Sequence, residues 1–218
     1  MKLHFDSKQE YQLDAIKAIT DIFEGQPLNA GDFEFSIQQK GALHTENGFG
    51  NKLSLTEDQV WENVKTIQAQ NEIISEVVSL HGMNFSIEME TGTGKTYVYL
   101  RTIFELNKLY GFKKFVIVVP SVAIREGVIK NIQITQEHFQ NLYDRVQVNA
   151  EVYDSKKVSN LRGFAADNAI QVLVINIDSF AKDENVINKP YDRLTGKKPI
   201  EFIQSCNPIV IVDEPQNM

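Results

Sequence analysis

The segment from Glu88 to Thr96, Glu-Met-Glu-Thr-Gly-Thr-Gly-Lys-Thr, carries the clearest chemical pattern in the chain. Gly92 and Gly94 can adopt backbone angles closed to other residues, so consecutive N–H groups can turn inward around phosphate oxygens at a helix N-terminus. Lys95 would then reach the β- and γ-phosphates as a catalytic cation, and the Thr96 hydroxyl would ligate Mg²⁺. The predicted nucleotide-binding loop comprises Thr91, Gly92, Thr93, Gly94, Lys95 and Thr96.

A less specific interpretation of the same residues is a glycine turn followed by an exposed lysine. The strict phosphate-loop pattern asks for glycine where this chain has Met89. However, a short apolar alternation precedes the loop and a helical pattern follows it, which is the context that a phosphate loop requires. This context favours a site for ATP and Mg²⁺.

Two acids, Asp213 and Glu214, directly follow the apolar run Ile209 to Val212. Ligands of open α/β sheets bind at the carboxyl ends of strands, so the acids are predicted to face the bound phosphates. Asp213 can hold Mg²⁺, usually through water, and Glu214 can polarise the attacking water as a general base. Acids also end strands as solvated turn residues, and only the phosphate loop upstream favours the catalytic interpretation.

The elements around these residues alternate in the α/β manner, with helical and strand patterns following one another. Capping boxes at Ser7 to Glu10 and Thr56 to Gln59 predict two helix starts, and the first helix is expected to reach about Phe23. Apolar positions at Ile73, Ile74, Val77 and Val78 suggest further helix packed on a sheet. The polar segment 25–54 predicts a loop or hairpin, since Phe33, Phe35 and Ile37 alternate.

Strands are predicted before the phosphate loop at Phe85 to Met89, and again at Phe115 to Val119, Val146 to Val152, Val172 to Ile177 and Ile209 to Val212. Helices are predicted from Val98 to a stop at Gly111, after the N-cap Ser121, and more weakly at Ser159 to Ala166. The basic segment 182–198 is interpreted as a solvated surface loop. We expect an N-terminal region, residues 1–84, that leads into a nucleotide-binding core, residues 85–218.

The amino-acid composition limits which partners the protein could bind and in which cellular compartment it could work. The 218-residue chain has a net charge of −7 and a pI near 5.2, so any contact with nucleic acid must be local. Cys206 is the only cysteine, which is typical of a reducing cytoplasm and leaves no intramolecular disulfide. The N-terminus carries no apolar signal core, and the apolar runs are strand-sized, so neither secretion nor a membrane span is expected.

Several segments together resemble the Res subunit of type III restriction-modification enzymes, a family of superfamily 2 helicase-like ATPases. The Asp-Glu-Pro-Gln form of the acidic motif and the sequence Ala-Ile-Arg-Glu-Gly-Val after Pro-Ser are more particular than the phosphate loop. The resemblance rests on Phe5 with Glu10 to Gln12, Glu88 to Thr96, Val118 to Val128, Val174 to Ile177, and Asp213 to Met218.

The resemblance implies a fold and a set of partners. Members contain two RecA-like motor domains, each a parallel sheet flanked by helices, followed by a nuclease domain. They act on double-stranded DNA together with a modification (methyltransferase) subunit. ATP hydrolysis drives translocation or communication along the duplex before the endonuclease cuts both strands. This chain would correspond to the first motor domain.

The resemblance also implies roles for single residues. Gln12 would read adenine through its amide, and Phe5 would pack on the adenine face or serve as an ordinary core residue. Ser121 would place a helix N-terminus against a DNA phosphate, although an ordinary N-cap has the same geometry. Arg125, Asn176 and Ser179 would line the DNA track, and a solvated helix position explains Arg125 equally well.

The chain stops at Met218, directly after the acidic motif. We therefore expect a C-terminally truncated motor domain with an exposed sheet edge and little or no activity by itself. Two alternatives remain open at this point. One is the motor domain of another superfamily 2 DNA or RNA helicase, and the other is a nucleotide-binding remnant that does not hydrolyse ATP.

Overall fold

The computed structural model describes residues 5–37, 46–74, 80, 82–191, 194 and 196–217. Contacts within the chain group it into two compact units, one of Met1–Gly31 with Leu53–Gly111 and one of Asp32–Lys52 with Phe112–Met218. The division at residue 84 stays a prediction. The helices are α1 (Glu10–Thr20), α2 (Glu57–Gln70), α3 (Lys95–Tyr110), α4 (Val122–Leu142), α5 (Leu161–Ala166) and α6 (Pro199–Ser205). The strands are β1 (Asp32–Ile37), β2 (Glu46–Asn51), β3 (Lys114–Val119), β4 (Val148–Val152), β5 (Ile170–Asn176) and β6 (Ile209–Val212).

The first unit contains α1, α2 and α3. Ala15 and Ile16 of α1 pack against Val98 of α3, with Met89 beside them. The predicted capping box of α2 is confirmed, because the Thr56 side chain accepts from the Gln59 backbone and the Gln59 side chain accepts from the Thr56 backbone. Helix α3 ends at Gly111, whose φ of 78° allows its N–H to donate to the Asn107 carbonyl at 2.8 Å.

Two predicted helical features of this unit are wrong. Helix α1 begins after Gln9 and has no side-chain capping bond, since Ser7 lies two residues before the N-cap and cannot cap the first turn. Helix α2 ends at Gln70, and Ile73 and Ile74 lie beyond it with exposed fractions of 55% and 96%. The predicted positions Val77 and Val78 lie outside the described residues.

The predicted strand from Phe85 to Met89 is also wrong. Residues 84–90 form neither helix nor strand, no strand of the described ranges pairs with them, and Ile87 is 42% exposed. An alternating apolar pattern does not make a strand by itself, because a strand needs a neighbour to bond its N–H and C=O groups. The residues directly before the phosphate loop therefore form no strand.

The second unit is built on a parallel sheet with the strand order β4-β5-β3-β6. Every residue of β3 is buried, as its continuous apolar run predicted. Val116 and Leu173, on one face, belong to a core with Phe164 of α5 and Phe202 of α6. Helix α4 packs against β3 and β5. The predicted fold class, an α/β parallel sheet flanked by helices, is confirmed.

The predicted hairpin is present as the antiparallel pair β1 and β2, in which Asp32 pairs with Asn51. Asn51 is buried and lies at the end of β2. Its side-chain oxygen accepts from the backbone N–H groups of Lys113 and Lys114 at 2.8 and 3.0 Å, and its amide donates to the Lys114 carbonyl at 2.7 Å. One asparagine therefore joins the hairpin to the start of β3.

Lys114 is fully buried at the start of β3. Its Nζ donates to the Phe164 and Asp167 carbonyls at 2.5 and 2.6 Å, so it satisfies backbone oxygens at the end of α5. Burial lowers the pKa of the Lys114 amine to about 8. The Lys114 amine therefore caps the C-terminus of α5, although Lys114 lies far from that helix in the sequence.

Strand β6 lies at the edge of the sheet, and in the described part of the chain it pairs with β3 alone. Val210 and Val212 are 54% and 45% exposed along it.

The segment 182–198 is more than a solvated loop. Its lysines are exposed, but Ile187 and Leu194 are buried in the core of the second unit. Helix α6, which follows it, was not predicted. No helix among the described residues is both long enough and apolar enough to cross a membrane.

Candidate nucleotide-binding site

The predicted phosphate loop lies in the first unit, directly before the first turn of α3. Gly92 and Gly94 have φ angles of 82° and 88°, in the left-handed region that favours glycine. Gly94 is the N-cap of α3, and Lys95 and Thr96 are its first helical residues. The Thr93 hydroxyl donates to the Glu90 carbonyl at 2.6 Å, which closes the turn.

The two loop glycines, Gly92 and Gly94, differ in how closely other atoms pack around them. A Cβ atom added to Gly94 would lie 2.8 Å from the Gln12 Nε2 atom, whereas a Cβ added to Gly92 would meet no atom within 4 Å. Gly94 is thus required both by its backbone angle and by the packed glutamine. At Gly92 the backbone borders open space, as it must if a phosphate is to approach its N–H groups.

Lys95 reaches back over the loop. Its half-buried side chain donates from Nζ to the Met89 carbonyl at 3.3 Å, so the amine lies against the loop rather than away from it. The N–H groups in the first turn of a helix have no carbonyl within the helix to bond, and the helix dipole favours negative charge at that end. The loop, Lys95 and the N-terminus of α3 are together suited to the phosphates of a nucleoside triphosphate.

Gln12, on α1, is brought to the same loop. It is 8% exposed, and its Nε2 donates to the Thr93 carbonyl at 2.9 Å. The ring of Phe5 stacks on the ring of Tyr97, with centroids 5.9 Å apart and planes 11° apart. The structure therefore places Gln12 beside the phosphate loop, and its reading of adenine stays a prediction.

Arg101 is a residue of this region that the sequence patterns did not single out. It is buried one turn after Tyr97 on α3, and its Nη1 donates to the Ser7 carbonyl at 2.7 Å. The available signal was the i,i+4 spacing to Glu105, whose Oε1 lies 3.9 Å from Arg101 Nη2. That spacing predicts an ion pair but not the backbone carbonyl to which the guanidinium donates.

Asp213 and Glu214 lie in the second unit, directly after β6. The Asp213 N–H donates to the Val118 carbonyl at 2.9 Å, which extends the pairing with β3 by one residue. Glu214 has a φ of 55°, a conformation that costs a non-glycine residue on the order of 1–3 kcal/mol and clusters at functional sites. The Gln216 amide donates to the Glu214 carboxylate. Both acids are half-buried.

The candidate DNA-track residues also lie in the second unit. Asn176 ends β5 opposite Val119, the last residue of β3. Asn176, Ser121 and Asp213 therefore lie at or just after the carboxyl ends of neighbouring strands. The Ser121 hydroxyl accepts from the Ile124 N–H at 3.3 Å, which confirms the predicted N-cap. The Asn176 side chain accepts from the Asp178 N–H at 2.9 Å.

Arg125 and Ser179 differ from those three residues. The Arg125 guanidinium donates to the Glu126 carboxylate through Nε at 3.2 Å and Nη2 at 2.8 Å. The Ser179 carbonyl accepts from the Asn185 amide at 3.1 Å, which ties the end of β5 to the segment 182–198. The Glu126 carboxylate would partly neutralise the charge that Arg125 could offer to a DNA phosphate.

A glycine loop at a helix N-terminus, together with a parallel sheet whose edge strand ends in two acids, is typical of phosphate-loop NTP-binding proteins. Comparison with known families agrees. A model of the family "Type III restriction enzyme, res subunit" matches residues 7–215. The chain belongs to this family and forms an NTP-binding, helicase-like domain.

Individual relatives point to the same family. The chain is 33% identical over 189 residues to the Res subunit of the Escherichia coli type III enzyme EcoP15I and 32% identical over 189 residues to that of EcoPI from Escherichia phage P1. Each alignment covers 75% of this chain and 19% of the relative. The Salmonella typhimurium StyLTI Res subunit is 36% identical over 152 residues, 61% of this chain and 15% of the relative. The chain thus spans about a fifth of the length of these relatives.

Proposed function

We propose that this chain is the ATP-binding first motor domain of a type III restriction enzyme Res subunit. The observation that carries the proposal is the phosphate loop, in which Gly92 and Gly94 adopt left-handed angles and Lys95 folds over the loop at the start of α3. Family membership supports type III restriction over other helicase classes.

Each site residue has a proposed role. The N–H groups of the loop receive phosphate oxygens, and the Lys95 amine adds positive charge beside them. Thr96 and Asp213 hold Mg²⁺, which when bound neutralises charge on the phosphate oxygens. Glu214 orients and deprotonates the attacking water, and the Gln12 amide pairs with adenine.

In the whole enzyme, we propose that ATP hydrolysis by this domain drives translocation or communication along double-stranded DNA and leads to cleavage of both strands. The partner would be a modification subunit, and the setting would be the cytoplasm. Ser121 and Asn176 are suited to receive DNA phosphates because they lie at or just after the carboxyl ends of neighbouring strands. Arg125 and Ser179 are the flanking candidates.

Calorimetry with Mg-ATP and Mg-ADP tests the nucleotide-binding proposal. Lys95→Ala should abolish binding, because it removes the one side-chain charge that the loop offers to the phosphates. Lys108→Ala is the matched control, since Lys108 is an exposed lysine near the other end of the same helix. Equal affinity of the wild type and Lys95→Ala, or an equal loss in both variants, would refute the assignment.

A further inference from the structure

The segment that precedes α1, residues 5–9, is attached to the face of α3 that follows the phosphate loop. Two of its contacts with α3 lie one helical turn apart. The Phe5 ring stacks on Tyr97, and the Ser7 carbonyl accepts from Arg101 Nη1 at 2.7 Å. Tyr97 and Arg101 are both buried, with exposed fractions of 8% and 9%.

The same chain segment is attached to the loop at its other end. Five residues after Ser7, the Gln12 amide donates to the Thr93 carbonyl at 2.9 Å and packs against Gly94. The chain from Phe5 to Gln12 therefore bridges the phosphate loop and the second turn of the helix that the loop begins. A shift at the Ser7 end would move Gln12 relative to the loop, because α1 starts between the two attachments.

Burying the Arg101 guanidinium to bond a neutral carbonyl costs desolvation free energy. Its desolvation is offset only by good hydrogen bonds and by a nearby opposite charge, and the Glu105 carboxylate lies 3.9 Å from Nη2. The planar guanidinium offers several fixed donors, so it defines the position and direction of the accepting carbonyl more closely than an apolar contact would. The contact is thus suited to setting a geometry.

We propose that Arg101 is a positioning residue for nucleotide recognition, which acts by fixing the Phe5–Gln12 segment so that the Gln12 amide is presented to the base. The inference deepens the proposed function and rests on it. The Arg101 guanidinium donates to the Ser7 carbonyl, which lies outside the phosphate loop. Its loss should therefore weaken recognition of the base and leave recognition of the phosphates intact.

Binding to two probes separates these effects. Affinities for Mg-ATP and for Mg-tripolyphosphate, which has no base, are measured by calorimetry for the wild type, Arg101→Met, Arg101→Lys and Gln12→Ala. Arg101→Met should weaken ATP binding about tenfold, the size expected for loss of a charged hydrogen bond, and change tripolyphosphate binding less than about twofold. Gln12→Ala should show the same selective loss. Arg101→Lys should recover part of it, because the ammonium keeps the charge and can donate but lacks the fixed planar donors of the guanidinium.

Lys108→Met is the matched control, since it removes an exposed cation from the same helix. Hydrogen exchange of the nucleotide-free protein gives a second measurement that does not depend on any ligand. Arg101→Met should speed exchange in residues 5–12 and leave residues 98–110 of α3 as protected as in the wild type.

The outcomes distinguish the two proposals. Failure of the wild type to bind ATP, or full binding by Lys95→Ala, would refute the proposed function. Normal wild-type binding with an unchanged ATP affinity in Arg101→Met would overturn the positioning role alone. Equal loss of ATP and tripolyphosphate affinity, or faster exchange throughout α3, would also overturn it, because both would show a general structural defect.

Discussion

At the scale of single residues, the phosphate loop contains two glycines whose surroundings differ. Both adopt left-handed angles, but only Gly94 is packed against a side chain, the Gln12 amide. The Gln12 bond to Thr93 explains this closeness, since it holds the amide directly over the loop. The local geometry of the loop is thus coupled to a residue of α1.

Alanine substitution should distinguish the cost of the left-handed backbone angle from the cost of the contact with Gln12. Gly92→Ala should lose on the order of 1–2 kcal/mol of stability, the cost of a left-handed non-glycine residue. Gly94→Ala should lose more, because the new methyl group also displaces Gln12. Chemical denaturation of both variants measures the difference. A Gly94→Ala variant as stable as Gly92→Ala would show that the Gln12 side chain can move aside without loss of stability.

At the scale of elements, the second unit holds its parts together through polar groups at strand ends. Asn51 joins β2 to β3, and Lys114 joins the start of β3 to the end of α5. Both side chains are buried, so each bond replaces water at a backbone group that would otherwise be left unsatisfied. These contacts explain how a hairpin and a short helix are fixed to the parallel sheet.

Stability should depend on pH through Lys114. Its pKa is lowered from 10.5 to about 8, so between these values the unfolded chain binds a proton that the folded protein has released. The contribution of Lys114 to the free energy of unfolding should therefore rise with pH across this window, by on the order of 2 kcal/mol by pH 10. Below pH 8 the contribution should be flat.

Denaturation curves of the wild type and Lys114→Met at pH 7, 8, 9 and 10 test this prediction. Both proteins carry Cys206→Ala, because burial raises the pKa of the Cys206 thiol to about 12 and its ionisation on unfolding lowers stability above pH 9. The wild type should gain stability relative to Lys114→Met as the pH rises. A constant difference would mean that the amine remains charged among the carbonyls throughout.

At the scale of the whole molecule, the chain matches only 19% of the length of the EcoP15I and EcoPI Res subunits. We expect a protein made of these 218 residues to bind nucleotide but to release phosphate at a rate near background, with or without duplex DNA. Phosphoryl-transfer enzymes commonly gain about 10³- to 10⁵-fold from an arginine supplied by another domain or protein. In helicase-like motors that arginine comes from the second motor domain.

Phosphate release by the purified chain tests this expectation. Glu214→Gln should change the rate little in the 218-residue protein, whereas the same substitution should cripple a full-length Res subunit. DNA-stimulated turnover on the order of 1 per second, an ordinary rate for a complete enzyme, would show that the catalytic apparatus lies within these residues.

Local patterns were sufficient to predict the glycine loop before α3, the N-cap Ser121, the capping box at Thr56, and the strands β3 and β6, of which only β3 is buried. These features depend on the backbone preferences of glycine, on hydrogen bonds within one turn and on apolar runs, all of which are contained in a few neighbouring residues. The same reasoning failed at Phe85 to Met89, because an alternating apolar segment becomes a strand only when a neighbour pairs with it.

The sequence by itself therefore determined the family, the α/β class and the position of the glycine loop before α3. Only the tertiary structure decided that Arg101 would donate to Ser7, that Gln12 would bond to Thr93 and that Lys114 would satisfy the end of α5. The partners in these contacts are separated by 94, 81 and 53 positions along the chain. No local pattern encodes such pairs, because they form only when folding brings buried donors to carbonyls that no nearby residue can satisfy.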